Sequence, residues 1–282
     1  MLRVAIQKKG RLSDSSMNLL QRCDIRINNG GKLNAKATNF PLEILYLRDD
    51  DIPECVADGV ADIGIVGENE YLEKERSVSI VERLGFAKCR MSIAVPKSFV
   101  YEGISSLQNR KIATSYPKII SQFLLEKKIN AEVHEISGSV EIAPNIGMAD
   151  AIFDIVSTGS TLLQNGLKEV EQVLTSEALL IASRDISKEK SELLEKLMFR
   201  VRTVQQAKNY KYVLMNVPTE KLIEITNLLP GMKSPTILPL ADKGWSSIHT
   251  VIQTDRFWEI IEQVKNLGAE GILITDIENI VL

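Results

Sequence analysis

The chain has 282 residues, 44% of them hydrophobic and 25% charged, and at about 150 residues per domain this length predicts two domains or three small ones. The formal net charge of −3 excludes a generic binder of nucleic acids or membrane surfaces, and no apolar stretch approaches the roughly 20 residues of a membrane span. Two histidines and three widely spaced cysteines lack the paired spacing of a zinc site. The first residues lack the apolar region of a secretory signal, so we expect a cytoplasmic protein.

Apolar runs of strand length alternate with helical patterns up to residue 209. Strands are predicted at Leu2–Gln7, Leu42–Leu47, Ala61–Val66, Met91–Val95, Lys111–Thr114, Ala131–Ile136, Ala151–Ser157 and Leu179–Ala182. Helices are predicted at Ser13–Cys23, Asp51–Asp58 and Pro117–Lys127, from about Ser160, and at Ser187–Asn209. This rhythm predicts an α/β fold of right-handed parallel units, with loops gathered at the carboxyl ends of the strands.

The residues after 209 predict a separate module. Strands are predicted at Lys211–Val217, Pro235–Pro239, Ser246–Gln253 and Gly271–Asp276, and helices at Thr219–Leu228 and Asp255–Leu267. This βαββαβ order is that of a ferredoxin-like fold. Such a module, appended to an α/β unit, indicates a role in regulation or assembly.

Four motifs follow predicted strands, at the edge where open α/β sheets bind ligands. They are Lys8–Leu12, Arg48–Pro53, Asp62–Asn69 and Asp150–Leu162. Each also has a purely structural interpretation: a solvated basic turn for the first, a helix cap for the second and fourth, and a bare turn for the third. Their convergence on one sheet edge is a stronger indication of a site than any one of them.

The most informative stretch is Ser157–Thr161, Ser-Thr-Gly-Ser-Thr, which we call the anion turn. It joins an apolar strand to a helix, and such a turn presents N–H groups and hydroxyls to an anion. Gly159 permits close approach of the backbone, and Asp154 precedes the turn, where a carboxylate could hold ribose hydroxyls. The chain has neither a G-x-x-x-x-G-K-[ST] nor a G-x-G-x-x-G motif, which argues against a P-loop enzyme and a dinucleotide site.

These residues resemble the signature of the ATP phosphoribosyltransferase family. The matching positions are Glu141, Gly147, Ala149, Ile152, Asp154, Ile155, Thr158, Gly159, Thr161 and Leu162, with Lys9–Leu12, Arg48–Pro53, Asp62–Gly64, Ala113–Pro117 and Ser234–Ile237. The similarity runs from end to end and includes the C-terminal module, so the chain resembles the long form of the enzyme.

The resemblance implies the first reaction of histidine biosynthesis, in which ATP and phosphoribosyl pyrophosphate give N1-(5-phosphoribosyl)-ATP and pyrophosphate. It implies a two-lobed catalytic core of the periplasmic-binding-protein type and a ferredoxin-like (ACT-like) regulatory domain. We place lobe I at residues 1–90 and 178–209, lobe II at 91–177 and the regulatory domain at 210–282. The resemblance also implies Mg²⁺, homo-oligomers (dimers and hexamers) and feedback inhibition by histidine.

The resemblance also assigns roles to residues. We expect the anion turn to hold the ribose 5-phosphate, through Ser157, Thr158, Gly159, Ser160 and Thr161. We expect the ribose hydroxyls to be held by Asp154 and Glu141. The expected catalytic residues are Arg11 and Arg48, which would act on pyrophosphate and the ATP phosphates. Lys9 and Gly10 are expected to bind substrate beside them. Those expected near bound histidine are Asn216, Ser234, Thr236 and Leu240. No side chain is assigned to Mg²⁺, which is expected on pyrophosphate oxygens.

Two alternatives remain open on the residues alone. Two α/β lobes with a small sensor domain could bind a solute without chemistry, although the cations Lys9, Arg11 and Arg48 favour a polyphosphate over a neutral solute. A catalytically silent regulatory subunit is the other alternative, and the complete anion turn argues against it.

Overall fold

The computed structural model describes residues 1–28, 33–229 and 231–282. Over these residues the chain divides into two compact units. Unit 1 comprises Met1–Asn18 and Ile25–Leu193, and unit 2 comprises Leu19–Asp24 and Leu194–Leu282. The expected boundaries of three domains stay a prediction. No helix of the described residues is long and apolar enough to cross a membrane.

Unit 1 contains two sheets and the helices that connect their strands. Its strands are β1 (Leu2–Gln7), β2 (Ile27–Asn28), β3 (Asn34–Ala37), β4 (Leu42–Leu47), β5 (Ile63–Gly67), β6 (Val78–Arg83), β7 (Cys89–Pro96), β8 (Lys111–Thr114), β9 (Glu132–Glu135), β10 (Ala151–Val156), β11 (Leu167–Ser176) and β12 (Ala178–Ser183). Its helices are α1 (Arg11–Arg22), α2 (Ile52–Ala57), α3 (Glu68–Lys74), α4 (Pro117–Lys127), α5 (Ser160–Gln164) and α6 (Lys188–Ala207), of which α1 and α6 each end in unit 2.

Both sheets of unit 1 are mixed. The first has the strand order β2-β3-β4-β1-β5-β12-β6, and the second has the order β11-β7-β10-β8-β9. The prediction of parallel pairing is confirmed for β1 with β4 and β5, and for β8 with β9 and β10. It is wrong for β7 and β12, which pair antiparallel with their neighbours. These two are the strands that the chain enters when it crosses from one sheet to the other.

Gly64 shows why a glycine interrupts the buried strand β5. A Cβ at this position would lie 2.6 Å from Ile52 Cγ2 and 3.0 Å from Val56 Cγ2, both on α2. The absence of a side chain therefore lets α2 pack closely against the sheet. This packing fixes the carboxyl end of β5, where the cavity described below opens.

Unit 2 contains the predicted C-terminal module. Its elements are β13 (Tyr210–Pro218), α7 (Leu222–Leu228), β14 (Thr236–Pro239), β15 (Trp245–Gln253), α8 (Phe257–Asn266) and β16 (Glu270–Asp276). The strand order is β14-β15-β13-β16 with antiparallel pairing throughout. The ferredoxin-like order is therefore confirmed. Alternate residues of β13, among them Val213 and Met215, are buried in one core with Ile225 of α7 and Ile260 of α8.

Candidate functional site

A cavity of about 490 Å³ opens in unit 1 where β1, β5 and β10 end. Residues of both sheets line it, as expected for loops that gather at the carboxyl ends of strands. The predicted site residues that it brings together are Gly10, Arg11, Glu141, Asp154, Ser157, Thr158, Gly159, Ser160 and Thr161. Lys9 and Arg48 are exposed and are not among the described residues that line it, so their roles stay predictions.

The anion turn begins directly after β10 and leads into α5. Gly159 is the N-cap of α5 and has a φ of +80°, a left-handed conformation that favours glycine. Because a glycine caps this helix, no side chain of the cap residue competes for the N–H groups of the first turn. Thr158 Oγ1 does accept the N–H of Ser160, at 3.4 Å, so the structural interpretation of the turn applies to this one N–H group. The hydroxyls of Thr158 and Ser160 lie 3.0 Å apart and also line the cavity.

Asp154 and Glu141 contribute two carboxyl groups to the cavity wall. Burial raises the pKa of Asp154 to about 6, and the nearby charge of Glu141 acts in the same direction. The N–H of Ile155 donates a hydrogen bond to Asp154 Oδ1 at 2.7 Å and partly offsets this shift. The pair lies beside the anion turn, where carboxylate oxygens could accept hydrogen bonds from sugar hydroxyls.

Arg11 enters the cavity wall from the turn after β1. Gly10, with a φ of +103°, ends this turn, and Arg11 is the first residue of α1. Arg11 is exposed, so its guanidinium is accessible to a ligand. Arg48 lies at the corresponding place after β4, but it is its neighbour Asp49 that lines the cavity.

Asn69 and Glu70 are buried polar residues in the wall of the cavity. The sequence motif did not predict that they would be buried there together. Both belong to α3, a helix that was not predicted: the motif indicated a glycine turn at the ligand-binding edge of the sheet, with a bare turn as the alternative. Asn69 Nδ2 donates to Glu70 Oε1 and to Tyr116 Oη, at 3.2 Å each, and Ser176 Oγ donates to Asn69 Oδ1 at 3.0 Å. Burial raises the pKa of Glu70 to about 7, opposed by a hydrogen bond with Tyr116. The run Glu68-Asn-Glu70 after an apolar strand was the available signal.

The residues predicted to bind histidine lie in or beside the sheet of unit 2. Asn216 lies on β13 opposite Ser247, and Thr236 lies on β14 opposite His249. The strand registers place Asn216 and Thr236 on the same face of the sheet, the one away from α7 and α8. Ser234 precedes β14, and Leu240 follows it and donates its N–H to the carbonyl of Trp245 at 3.1 Å. Their role as an effector site stays a prediction.

Comparison with known proteins identifies the family. The model of a family described as ATP phosphoribosyltransferase (HisG) matches residues 48–203, and that of the HisG C-terminal domain matches residues 207–279. The chain belongs to the ATP phosphoribosyltransferase family. The match to the C-terminal domain identifies it as the long form, and both confirm the resemblance seen in the sequence.

Similar proteins and structures agree with this assignment. An ATP phosphoribosyltransferase of Bacteroides thetaiotaomicron is 58% identical over all of both chains. A chain of the ATP phosphoribosyl transferase (HisG:HisZ) complex from Thermotoga maritima is 28% identical, with a TM-score of 0.60 over 72% of this chain and 99% of that one. The substrate-binding protein of an amino acid ABC transporter has a TM-score of 0.50 over 73% of this chain and 94% of its own, at 12% identity. That last likeness concerns the fold alone, and it confirms the expected α/β architecture of this ATP phosphoribosyltransferase family member.

Proposed function

We propose that the chain transfers the phosphoribosyl group of phosphoribosyl pyrophosphate to N1 of ATP and releases pyrophosphate, the first step of histidine biosynthesis. The observation that carries this proposal is the composition of one cavity. The anion turn and the carboxyl groups of Glu141 and Asp154 share this space with Arg11, which follows β1 of the first sheet. A donor with a phosphate at one end and a diphosphate at the other needs these three kinds of group.

The chemistry requires alignment more than a strong base. Adenine N1 attacks the anomeric carbon with its own lone pair, the bond to the diphosphate oxygen breaks, and positive charge develops on the sugar. Asp154 and Glu141 would hold the ribose hydroxyls and place negative charge near that sugar. Arg11 would stabilise the charge on the departing diphosphate, and the anion turn would hold the 5-phosphate.

The main alternative is a protein that binds a solute without chemistry. The likeness to a transporter's binding protein concerns the fold and says nothing about the ligand. Arg11 and the anion turn favour an anionic ligand, and the carboxyl groups of Glu141 and Asp154 favour one that also carries hydroxyls, as a phosphorylated sugar does. We therefore prefer the transferase.

The side chains of the cavity fit a Mg²⁺ ion that arrives with the diphosphate. Mg²⁺ keeps several waters and takes one or two carboxylates together with substrate phosphates. Glu141 and Asp154 line the cavity, so a carboxylate oxygen that is not bonded to a ribose hydroxyl could complete the coordination of such an ion. Over the described residues no cluster of three His, Cys, Asp or Glu has the arrangement of a metal site. A bound ion would neutralise charge on the leaving diphosphate.

We further propose that the chain assembles with copies of itself and that it works in the cytoplasm. A third proposal concerns regulation: histidine binds to unit 2 near Asn216 and Thr236 and inhibits the enzyme. The C-terminal HisG domain supports this third proposal. We also propose the lobe boundaries at residues 90, 177 and 209. The two sheets of unit 1 support the first two, since β7–β11 all fall between residues 91 and 177 except for the first two residues of β7. The match to the HisG C-terminal domain, which begins at residue 207, supports the third.

Arg11→Ala tests the assignment of this arginine to the leaving group. Loss of a charge that acts only as the diphosphate departs should lower kcat by about a hundredfold. The KM for ATP should change much less. Steady-state rates at varied ATP measure both constants. A rise in KM at constant kcat would show that Arg11 serves binding alone.

A further inference from the structure

Arg90 is held in a fixed orientation by a carboxylate. It lies on β7, opposite Val156 of β10, at the place where the anion turn begins. Its Nε donates to Glu169 Oε1 and its Nη2 to Glu169 Oε2, at 2.6 Å each. Ser92 Oγ donates to the same Oε1 at 2.7 Å. A bidentate pair of this kind fixes the plane of the guanidinium as well as its position.

The guanidinium also reaches the backbone of the anion turn. Arg90 Nη1 donates a hydrogen bond of 3.1 Å to the carbonyl oxygen of Ser157. That carbonyl belongs to the peptide that joins Ser157 to Thr158. In a planar trans peptide the N–H points away from the C=O. Because Arg90 holds the carbonyl of Ser157 on its own side of this peptide, the N–H of Thr158 points to the side of the peptide that faces away from Arg90.

We infer that Arg90 is a positioning residue for phosphoribosyl pyrophosphate, held by Glu169, and that it orients the N–H of Thr158 towards the 5-phosphate. The inference rests on the proposed role of the anion turn. Ser157 and Thr158 line the cavity, whereas Arg90 and Glu169 are not among the described residues that do. Arg90 therefore acts through the backbone, and its charge is matched by Glu169 and not by the substrate.

The test uses Arg90→Lys, Glu169→Gln and the double variant in the full-length chain. Lysine keeps the charge, but its single ammonium group does not reproduce the planar arrangement that joins Glu169 to Ser157. Each single variant should raise the KM for phosphoribosyl pyrophosphate by about tenfold and leave the KM for ATP unchanged. The double variant should resemble the single ones, because both changes break the same unit. Affinity for ribose 5-phosphate, measured by calorimetry, should fall in parallel.

A matched pair elsewhere in unit 1 provides the control. Arg76 Nη2 donates to Glu54 Oε2 at 2.7 Å, and both side chains are exposed. Arg76→Lys and Glu54→Gln should leave both KM values unchanged, and thermal unfolding of all variants checks their folding.

Two results would overturn the inference: an unchanged KM for phosphoribosyl pyrophosphate in Arg90→Lys, or equal increases in both KM values. A wild-type chain without turnover would instead contradict the proposed function. In that case the loss of ribose 5-phosphate affinity in Arg90→Lys still tests Arg90 separately, since binding needs no chemistry.

Discussion

The carboxyl groups of Glu70 and Asp154 are held in surroundings that disfavour their charged forms. Glu70 is 6% exposed, and its pKa is raised from 4.5 to about 7 mainly by burial. The pKa of Asp154 is raised to about 6, again mainly by burial. Strained or desolvated groups of this kind are typical of sites whose stability is reduced for the sake of function.

Glu70 makes the stability of the protein depend on pH in a defined direction. The folded state binds this proton more tightly than the unfolded state, so the free energy of unfolding falls as the pH rises from about 4.5 to about 7. Glu70→Gln removes the cost of the charge. The variant should be more stable than the wild type at pH 8, by up to roughly 3 kcal/mol.

The difference between wild type and Glu70→Gln should shrink towards zero below about pH 4.5, where both states of the wild type hold the proton. Urea unfolding at pH 5 and pH 8 measures it. A difference that is the same at both pH values would show that Glu70 does not titrate in this range.

The sequence predicted the residues of the anion turn better than those that support it. Asp154, Gly159 and their neighbours form a continuous motif, so a local pattern was enough. Arg90 and Glu169 come together only because β7 and β11 pair in the second sheet. Sequence patterns carry no information on such a distant pairing unless both strands are recognised, and β11 was not.

At the scale of single elements, helix α4 depends on a carboxylate from α3. Glu73 is 7% exposed, and its Oε1 and Oε2 accept the N–H groups of Lys118 and Ile119, at 3.0 and 3.1 Å. These N–H groups belong to the first turn of α4, which has no acceptors of its own for them. Helix α3 follows β5 of the first sheet, and α4 follows β8 of the second. The carboxylate of Glu73 therefore connects a helix that follows one sheet to a helix that follows the other.

Glu73→Ala should therefore destabilise the protein by roughly 3 kcal/mol, because one buried and one part-buried N–H group lose a carboxylate acceptor. Hydrogen exchange of the amides of Lys118 and Ile119 should accelerate. The control is Glu75→Ala, which removes an exposed ion pair with Lys118 and should cost at most about 1 kcal/mol. Equal effects of the two variants on urea unfolding would contradict a capping role for Glu73.

Most regular elements followed from periodicity, and the misses have physical causes. β1, β4, β8 and α4 have the predicted bounds. β11 was missed because irregularities at Glu169–Glu171 and Gln172–Leu174 break its alternation of inward and outward residues. β3 contains two alanines and two polar residues, so its pairing with β4 stabilises it more than its own composition does.

At the scale of the whole molecule, the proposed histidine site lies in the C-terminal module of unit 2, and the proposed catalytic cavity lies in unit 1. Asn216 and Thr236 share the face of the β-sheet that α7 and α8 leave uncovered. An amide there could hydrogen bond the amino or carboxylate group of an amino acid. Asn216→Ala in the full-length chain should raise the histidine concentration for half inhibition by about tenfold.

Rates at increasing histidine measure this shift, and the rate without histidine checks that the variant is folded. Unchanged inhibition in both Asn216→Ala and Thr236→Val would place the effector site elsewhere.

The two-unit organisation shows what a sequence conveys at this scale. The ferredoxin-like order of unit 2 was readable, because β13, for example, alternates between buried and partly exposed residues and turn residues separate the elements. The mixed pairing of the two sheets in unit 1 was not, since β12 returns to the first sheet after the whole second sheet has formed. The resemblance to a family supplied that architecture, and periodicity alone would not have done so.

The most direct measurement is an assay of the purified chain with ATP, phosphoribosyl pyrophosphate and Mg²⁺. Mass spectrometry and pyrophosphate quantification should find one equivalent of N1-(5-phosphoribosyl)-ATP for each pyrophosphate released, with no adduct when either substrate is omitted. Binding of both substrates without any pyrophosphate release, or release without the adduct, would contradict phosphoribosyl transfer to ATP.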